Sequence, residues 1–186
     1  LPEYGYLIID EAHNLEQEII NQFGFEASKN RILDQLKYYQ NPVFLRNRIE
    51  QTDKLENLRE LLETHSFNIS EFFTQIDQIF NNQVTQNNIQ NLIVNEQIAN
   101  SKPFISLLPI WNESLQSFKK ILNLNESIPE LQTDEFSDFI FDLDLLYESI
   151  QELLINRNDN SVYWINKRNR YQSNEELSLK LAPLNT

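Results

Sequence analysis

The chain has 186 residues, a formal net charge of −13, 40% hydrophobic and 11% aromatic residues, and neither Cys nor Met. That length suits one domain or one large insertion, and the 12 Phe and 7 Tyr speak against full disorder. The absent Cys excludes disulfides, zinc–thiolate sites and cysteine-ligated iron–sulfur clusters within these residues. The acidic balance disfavours nonspecific nucleic-acid binding by the whole surface.

In chain order, Tyr6-Leu7-Ile8-Ile9 is a short apolar run ending at Asp10. It has the look of a buried parallel strand with an acid at its carboxyl edge. The period then becomes helical over residues 14–22. Ser28 caps a helix carrying Ile32, Leu33, Leu36 and Tyr39, which Asn41-Pro42 ends. Leu55, Leu58, Leu61 and Leu62 mark another helix. Asn68-Ile69-Ser70-Glu71 reads as a capping box that starts a further one with Phe72, Phe73, Ile76, Ile79 and Phe80. Ile89, Leu92 and Ile93 mark a weaker helical segment in an Asn-rich stretch.

Leu108, Trp111, Leu115, Phe118 and Leu122 form a strong stripe, and Trp111 is expected in the core. The strongest stripe is Phe136, Phe139, Ile140, Leu143, Leu146, Ile150, Leu153 and Leu154. These stripes predict a bundle of about five to seven helices over residues 14–156. Val162-Tyr163-Trp164-Ile165 and then Leu177, Leu179 and Leu181 read as two strands, with Pro183 ending the second. The scarcity of Gly, only Gly5 and Gly24, also favours helices over a turn-rich β fold.

The charge is uneven. Seven of the 15 basic residues lie between Lys29 and Arg59, and Arg157, Lys167, Arg168 and Arg170 gather near the end. From Glu126 to Glu152 there are nine acids and no base. An acidic surface first of all keeps a protein soluble. His65 is expected at the surface or at a boundary, and with only His13 besides, a histidine-based metal cluster is not expected.

The chemistry-bearing motif is Leu7-Ile8-Ile9-Asp10-Glu11-Ala12-His13. Ligands of nucleotide-hydrolysing α/β folds bind at the carboxyl edge of the strands. There the first acid can hold Mg²⁺ through water and the second can polarise an attacking water. An Asp-Glu pair alone would equally suit the first turn of a helix. The apolar run before it and Ala-His after it favour the nucleotide reading.

The heptapeptide resembles motif II, the DEAH-type Walker B, of superfamily 2 helicases. Extended through Asn14-Leu15-Glu16, it looks like the XPD/DinG branch, and within it most like the DinG helicases of low-GC Gram-positive bacteria. In that branch a helical arch is inserted into the first RecA-like motor domain after motif II. Val162-Tyr163-Trp164-Ile165 and the segment from Leu177 to Leu184 resemble the return to the motor domain before motif III. The resemblance covers about the first 16 and last 25 residues; the middle matches by position and helicity.

The resemblance implies a mainly α fold: a helical bundle, the arch-domain-like insertion, flanked by short β-strands of a truncated RecA-like α/β motor domain. Residues 1–13 would carry the motif II strand and DEAH box, 14–160 the arch, and 161–186 the returning hairpin. It implies ATP and Mg²⁺ in the parent protein, with Asp10 at the metal and nucleotide, Glu11 as catalytic base and nucleotide contact, and His13 coupling hydrolysis to DNA movement. No metal or iron–sulfur cluster is expected in this stretch itself.

The expected partners are single-stranded or forked DNA and the remaining motor domains, in the cytoplasm and with no membrane, and exposed strands could pair two copies. Trp164 with Lys167, Arg168 and Arg170 is one candidate DNA contact. Lys29, Arg31, Lys37, Arg46 and Arg48, interleaved with Tyr38, Tyr39 and Phe44, are another. With no Met and no phosphate loop, the sequence reads as a piece of a longer protein, inactive alone. The rival reading is an all-helical interaction module in which Asp-Glu-Ala-His is chance.

Overall fold

In a computed structural model of the chain, residues 24–41, 52–84, 91–131, 133–170 and 174–183 are described. They are mainly helical, with one four-stranded antiparallel sheet. The expected strand at residues 6–10 and helix at residues 14–22 lie outside them.

The first described element is a strand that sequence reasoning missed, β1 (Phe25–Ser28). Ser28 closes it and caps α1 (Lys29–Tyr39), its side chain accepting from the Arg31 N–H at 3.5 Å. Ile32, Leu36 and Tyr39 recur at helical spacing and are buried.

Next comes α2 (Thr52–Gln83), a single helix of 32 residues where two had been expected. At 1.5 Å per residue it is about 48 Å long. Asn68 does not start a helix: it is buried inside one, and its Nδ2 donates to Ser117 Oγ at 3.2 Å. The apolar stripe explains the continuity. Leu58, Leu62, Ile69, Phe72, Phe73 and Ile76 stay in phase and are buried, with His65 filling the gap at 0% exposure. His65 is thus a core residue, not the surface or boundary residue expected. Once Asn68 has a partner across the helix interface, its side chain no longer competes for the backbone.

The weak segment around Leu92 is a strand, β2 (Asn91–Ile93), not a helix. Its apolar residues are too few to fix a period, and pairing with a neighbouring strand decides the matter. Two single-turn helices follow, α3 (Glu96–Ala99) and α4 (Lys102–Ile105), capped by the side chains of Asn95 and Ser101. Then α5 (Leu107–Glu126) and α6 (Asp134–Leu154) bury the two strong stripes. On α5 the buried line is Leu107, Trp111, Ser114, Phe118 and Ile121, displaced slightly from the expected one. The six α-helices among the described residues fall within the expected range. None is long and apolar enough to cross a membrane.

The last two elements are β3 (Ser161–Arg170) and β4 (Asn174–Pro183), paired antiparallel as the alternation predicted. The sheet order is β1-β4-β3-β2. The hairpin therefore shares one sheet with two strands from within residues 14–160. Phe25 faces Leu181, so the strand leading into the described body and the strand leading out of it are neighbours.

One face of the sheet presents Ala27, Leu179, Tyr163 and Ile165 to the helices, where they join Leu36, Phe72, Trp111 and Phe139 in one core. Each such large side chain contributes about 1.5–3 kcal/mol by leaving water. Tyr39 stacks on Phe139 at 4.1 Å and Phe118 on Tyr147 at 4.6 Å between ring centroids.

Candidate functional site

Asp10, Glu11 and His13 lie outside the described residues, as do Arg46 and Arg48. Among the described residues no group of His, Cys, Asp or Glu is placed to hold a metal ion. The remaining expected contacts fall on β3, and the strand divides them. Side chains alternate across a sheet, so Trp164, Asn166 and Arg168 share one face while Tyr163, Ile165 and Lys167 share the other. Trp164 and Lys167 are not brought onto one surface.

Lys167 points to the helical side. Its Nζ donates to Asp77 Oδ1 at 2.9 Å and Asn81 Oδ1 at 3.2 Å, latching β3 to the second half of α2. Arg168 is exposed and stands opposite Glu176. The backbone of Arg170 pairs with Asn174, and its side chain lies outside the described set. Two of the α1 cations are also engaged: Arg31 sits 3.5 Å from Asp142 of α6, and Lys37 sits 3.7 Å from Asp34. Tyr38 donates to Glu135 at 2.8 Å, and Tyr39 is buried with its hydroxyl on the Glu135 carbonyl at 2.9 Å.

The sheet face that carries Trp164 was not foreseen. Glu26, Lys180, Trp164 and Ile93 form one row across the four strands. Ser28, Ser178, Asn166 and Asn91 form the next. Lys180 Nζ lies 3.2 Å from Glu26 Oε2 with its side chain only 3% exposed. Ser28 Oγ donates to Glu176 Oε1 at 3.0 Å, and Asn166 Nδ2 donates to Asn91 Oδ1. The centre of this polar face is nonetheless buried: Ser178, Lys180, Asn166 and Trp164 are all 9% exposed or less. Ser178 Oγ has no hydrogen-bond partner there. Alternation in the sequence assigns these residues to the right face but reads that face as wet. With Lys180 matched to Glu26, it is a neutral polar layer, not a cationic strip.

A second polar cluster lies deep between α2, α5 and α6. Ser114 Oγ and Tyr147 Oη are hydrogen-bonded at 2.5 Å, and Tyr147 Oη lies 3.3 Å from His65 Nδ1. Trp111 packs on Tyr147 at 4.4 Å. His65 Nε2 and Trp111 Nε1 are buried without hydrogen-bond partners. Burial pushes the His65 pKa down from 6.5 to about 4; the Ser114 backbone opposes this weakly, though Nε2 makes no hydrogen bond. Burial likewise pushes the Tyr147 hydroxyl well above its ordinary value, with the Ser114 hydroxyl as a smaller opposing influence. Both groups are neutral near pH 7, and the cluster is a deeply enclosed polar inclusion: His65, Ser114, Trp111 and Tyr147 are all 3% exposed or less.

Comparison with protein-family models, with curated proteins and with solved structures returns no match.

Proposed function

We propose that this chain is part of a cytoplasmic, ATP-dependent DNA helicase of the DinG/XPD kind, carrying motif II, an arch-like insertion and the strands that return to a RecA-like motor domain. The motif Asp10-Glu11-Ala12-His13 supplies the resemblance. The observation that carries the reading is the pairing of β1 with β4, Phe25 opposite Leu181. A body inserted into another domain must leave and rejoin its host at nearly one place, and adjacent antiparallel strands provide that.

In this reading Asp10 would hold the Mg²⁺, a hard cation that favours carboxylate and water oxygens. Glu11 polarises the attacking water, and His13 links turnover to movement on DNA. The bound Mg²⁺–ATP would supply the phosphoryl group and the charge neutralisation. The helical body forms one wall of a channel for single-stranded DNA. Residues 1–186 alone have no phosphate loop, so they neither bind ATP specifically nor hydrolyse it.

The parent chain upstream of Leu1 should contain G-x-x-x-x-G-K-[ST] within about 100–250 residues. A parent without it would sink the proposal. In the intact helicase, Glu11→Gln should leave nucleotide binding intact and lower DNA-stimulated ATP turnover by about 10²–10⁴. Asp10→Asn should instead weaken Mg²⁺-dependent binding. Normal turnover in Glu11→Gln would reassign the base.

A further inference from the structure

Every charged side chain of α6 is acidic. Its inward face buries Phe136, Phe139, Leu143, Leu146, Ile150 and Leu153. Its outward face is not simply polar. Phe141 is 67% exposed and Leu145, one turn on, is 42% exposed. At ~100° per residue they share a stripe with Asp134, Asp138 and Glu148, flanked by Asp144. Among the described residues none of these four acids forms an ion pair.

Like charges three or four residues apart on a helix repel each other. Asp134 with Asp138 and Asp144 with Glu148 are such pairs on this face. A cation placed among these acids would relieve the repulsion.

Beside the stripe runs a seam. α1 lies antiparallel to α6, fastened by Arg31 and Gln35 to Asp142 and by Tyr38 to Glu135. Two adjoining clefts of about 300 and 620 Å³ follow it, both bordered by Arg31, Gln35 and Asp142. Leu145 lines one; Asp34 and Asp138 line the other. Two antiparallel helices with a furrow between them make a seat for a third.

We infer that the outer face of α6, with the α1–α6 seam, docks a basic amphipathic helix of a partner protein. The apolar side chains of that helix cover Phe141 and Leu145, and its Lys or Arg side chains meet Asp138, Asp144 and Glu148. Nucleic acid is repelled by this face, and a second copy of a chain with net charge −13 is a poor source of the cations. The inference does not rest on the helicase reading.

The 186-residue chain can be titrated with a fluorescent peptide of about 18 residues, long enough to form a helix, with Leu at i, i+3, i+4 and i+7 and Lys elsewhere. The control peptide keeps every Lys and replaces Leu by Ser. The Leu peptide should bind about tenfold tighter or better. Phe141→Ser with Leu145→Ser should weaken it at least about tenfold, and Asp138→Lys with Asp144→Lys should weaken it further and flatten its salt dependence. All four positions are exposed, so circular dichroism should report an unchanged fold. Glu56→Lys with Glu60→Lys on α2 should leave binding unchanged. Equal affinity for both peptides, or equal loss in the α2 variant, would reduce the interaction to general charge and overturn the inference. So would a dimer that Phe141→Ser dissolves, which would make a second copy the occupant.

Discussion

Two buried polar places in this molecule solve the same problem differently. Between α2, α5 and α6, His65, Ser114, Tyr147 and Trp111 are enclosed as neutral groups, two of them with an unpaired nitrogen. On the outer sheet face, Lys180 is enclosed as a cation matched to Glu26. A neutral inclusion costs little while it stays neutral and is vulnerable to protons. An enclosed charge is safe while its counter-charge is present and is vulnerable to loss of that partner. Depth alone therefore does not say what a buried polar group contributes; its protonation state does.

The largest effect should come from the apolar frame around the neutral cluster. Trp111→Ala removes a side chain 1% exposed and should cost about 3–5 kcal/mol in urea denaturation. A loss below 1 kcal/mol would mean that the helices repack freely there.

The charged place is tested by unequal partners. Glu26→Ala strands the Lys180 ammonium and should cost about 3 kcal/mol, whereas Lys180→Met, which removes the buried charge itself, should cost about 1 kcal/mol or less. Equal costs would show that water reaches Lys180.

Acid separates the two places. The folded pKa of His65 is depressed to about 4 from 6.5, so the unfolded chain takes up the proton first. Its contribution is complete above the unfolded value and is lost as the pH falls toward 4, a loss of about 3 kcal/mol in all. Many carboxylates titrate in the same window, so the measurement is a difference. His65→Gln should show less acid destabilisation than the parent by about that amount between about pH 7 and pH 4. No difference would mean that His65 is hydrated in the folded protein.

A small effect should come from Asn68→Ala. Its amide bonds Ser117 Oγ, which also donates to the Glu113 carbonyl, so the change should cost about 1 kcal/mol.

The helices were largely legible because long stripes repeat their period many times. Phe136 to Leu153 gave α6 outright, and Ser28 gave the start of α1. The hairpin was legible from the alternation of Leu177, Leu179 and Leu181. Three features were not. Asn68 carries a local signal for a helix start, and only the Ser117 hydroxyl of a distant helix cancels it. Leu92 has too few apolar neighbours to choose a period, and pairing with β3 chooses for it. Lys180 and Ser178 alternate with leucines as solvent-facing residues do, and no local pattern announces that the polar side of a sheet is covered. Of the candidate site, sequence supplied the DEAH motif and the basic clusters. The structure places Lys167 against Asp77 and puts Trp164 on the opposite face, because an odd offset along a strand turns a side chain to the other side.

The β1–β4 pair also sets how the body responds to pull. The incoming end of β1 lies against the outgoing end of β4, Phe25 against Leu181 and Ser28 against Ser178. Tension drawing those two ends apart acts across the ladder, and its hydrogen bonds open one after another from the Phe25 end instead of sharing the load. Strands attached at opposite ends would be sheared and would yield all at once. The clasp is therefore mechanically soft against a pull on those two ends, while the helical core behind it carries none of that load until the last pair opens.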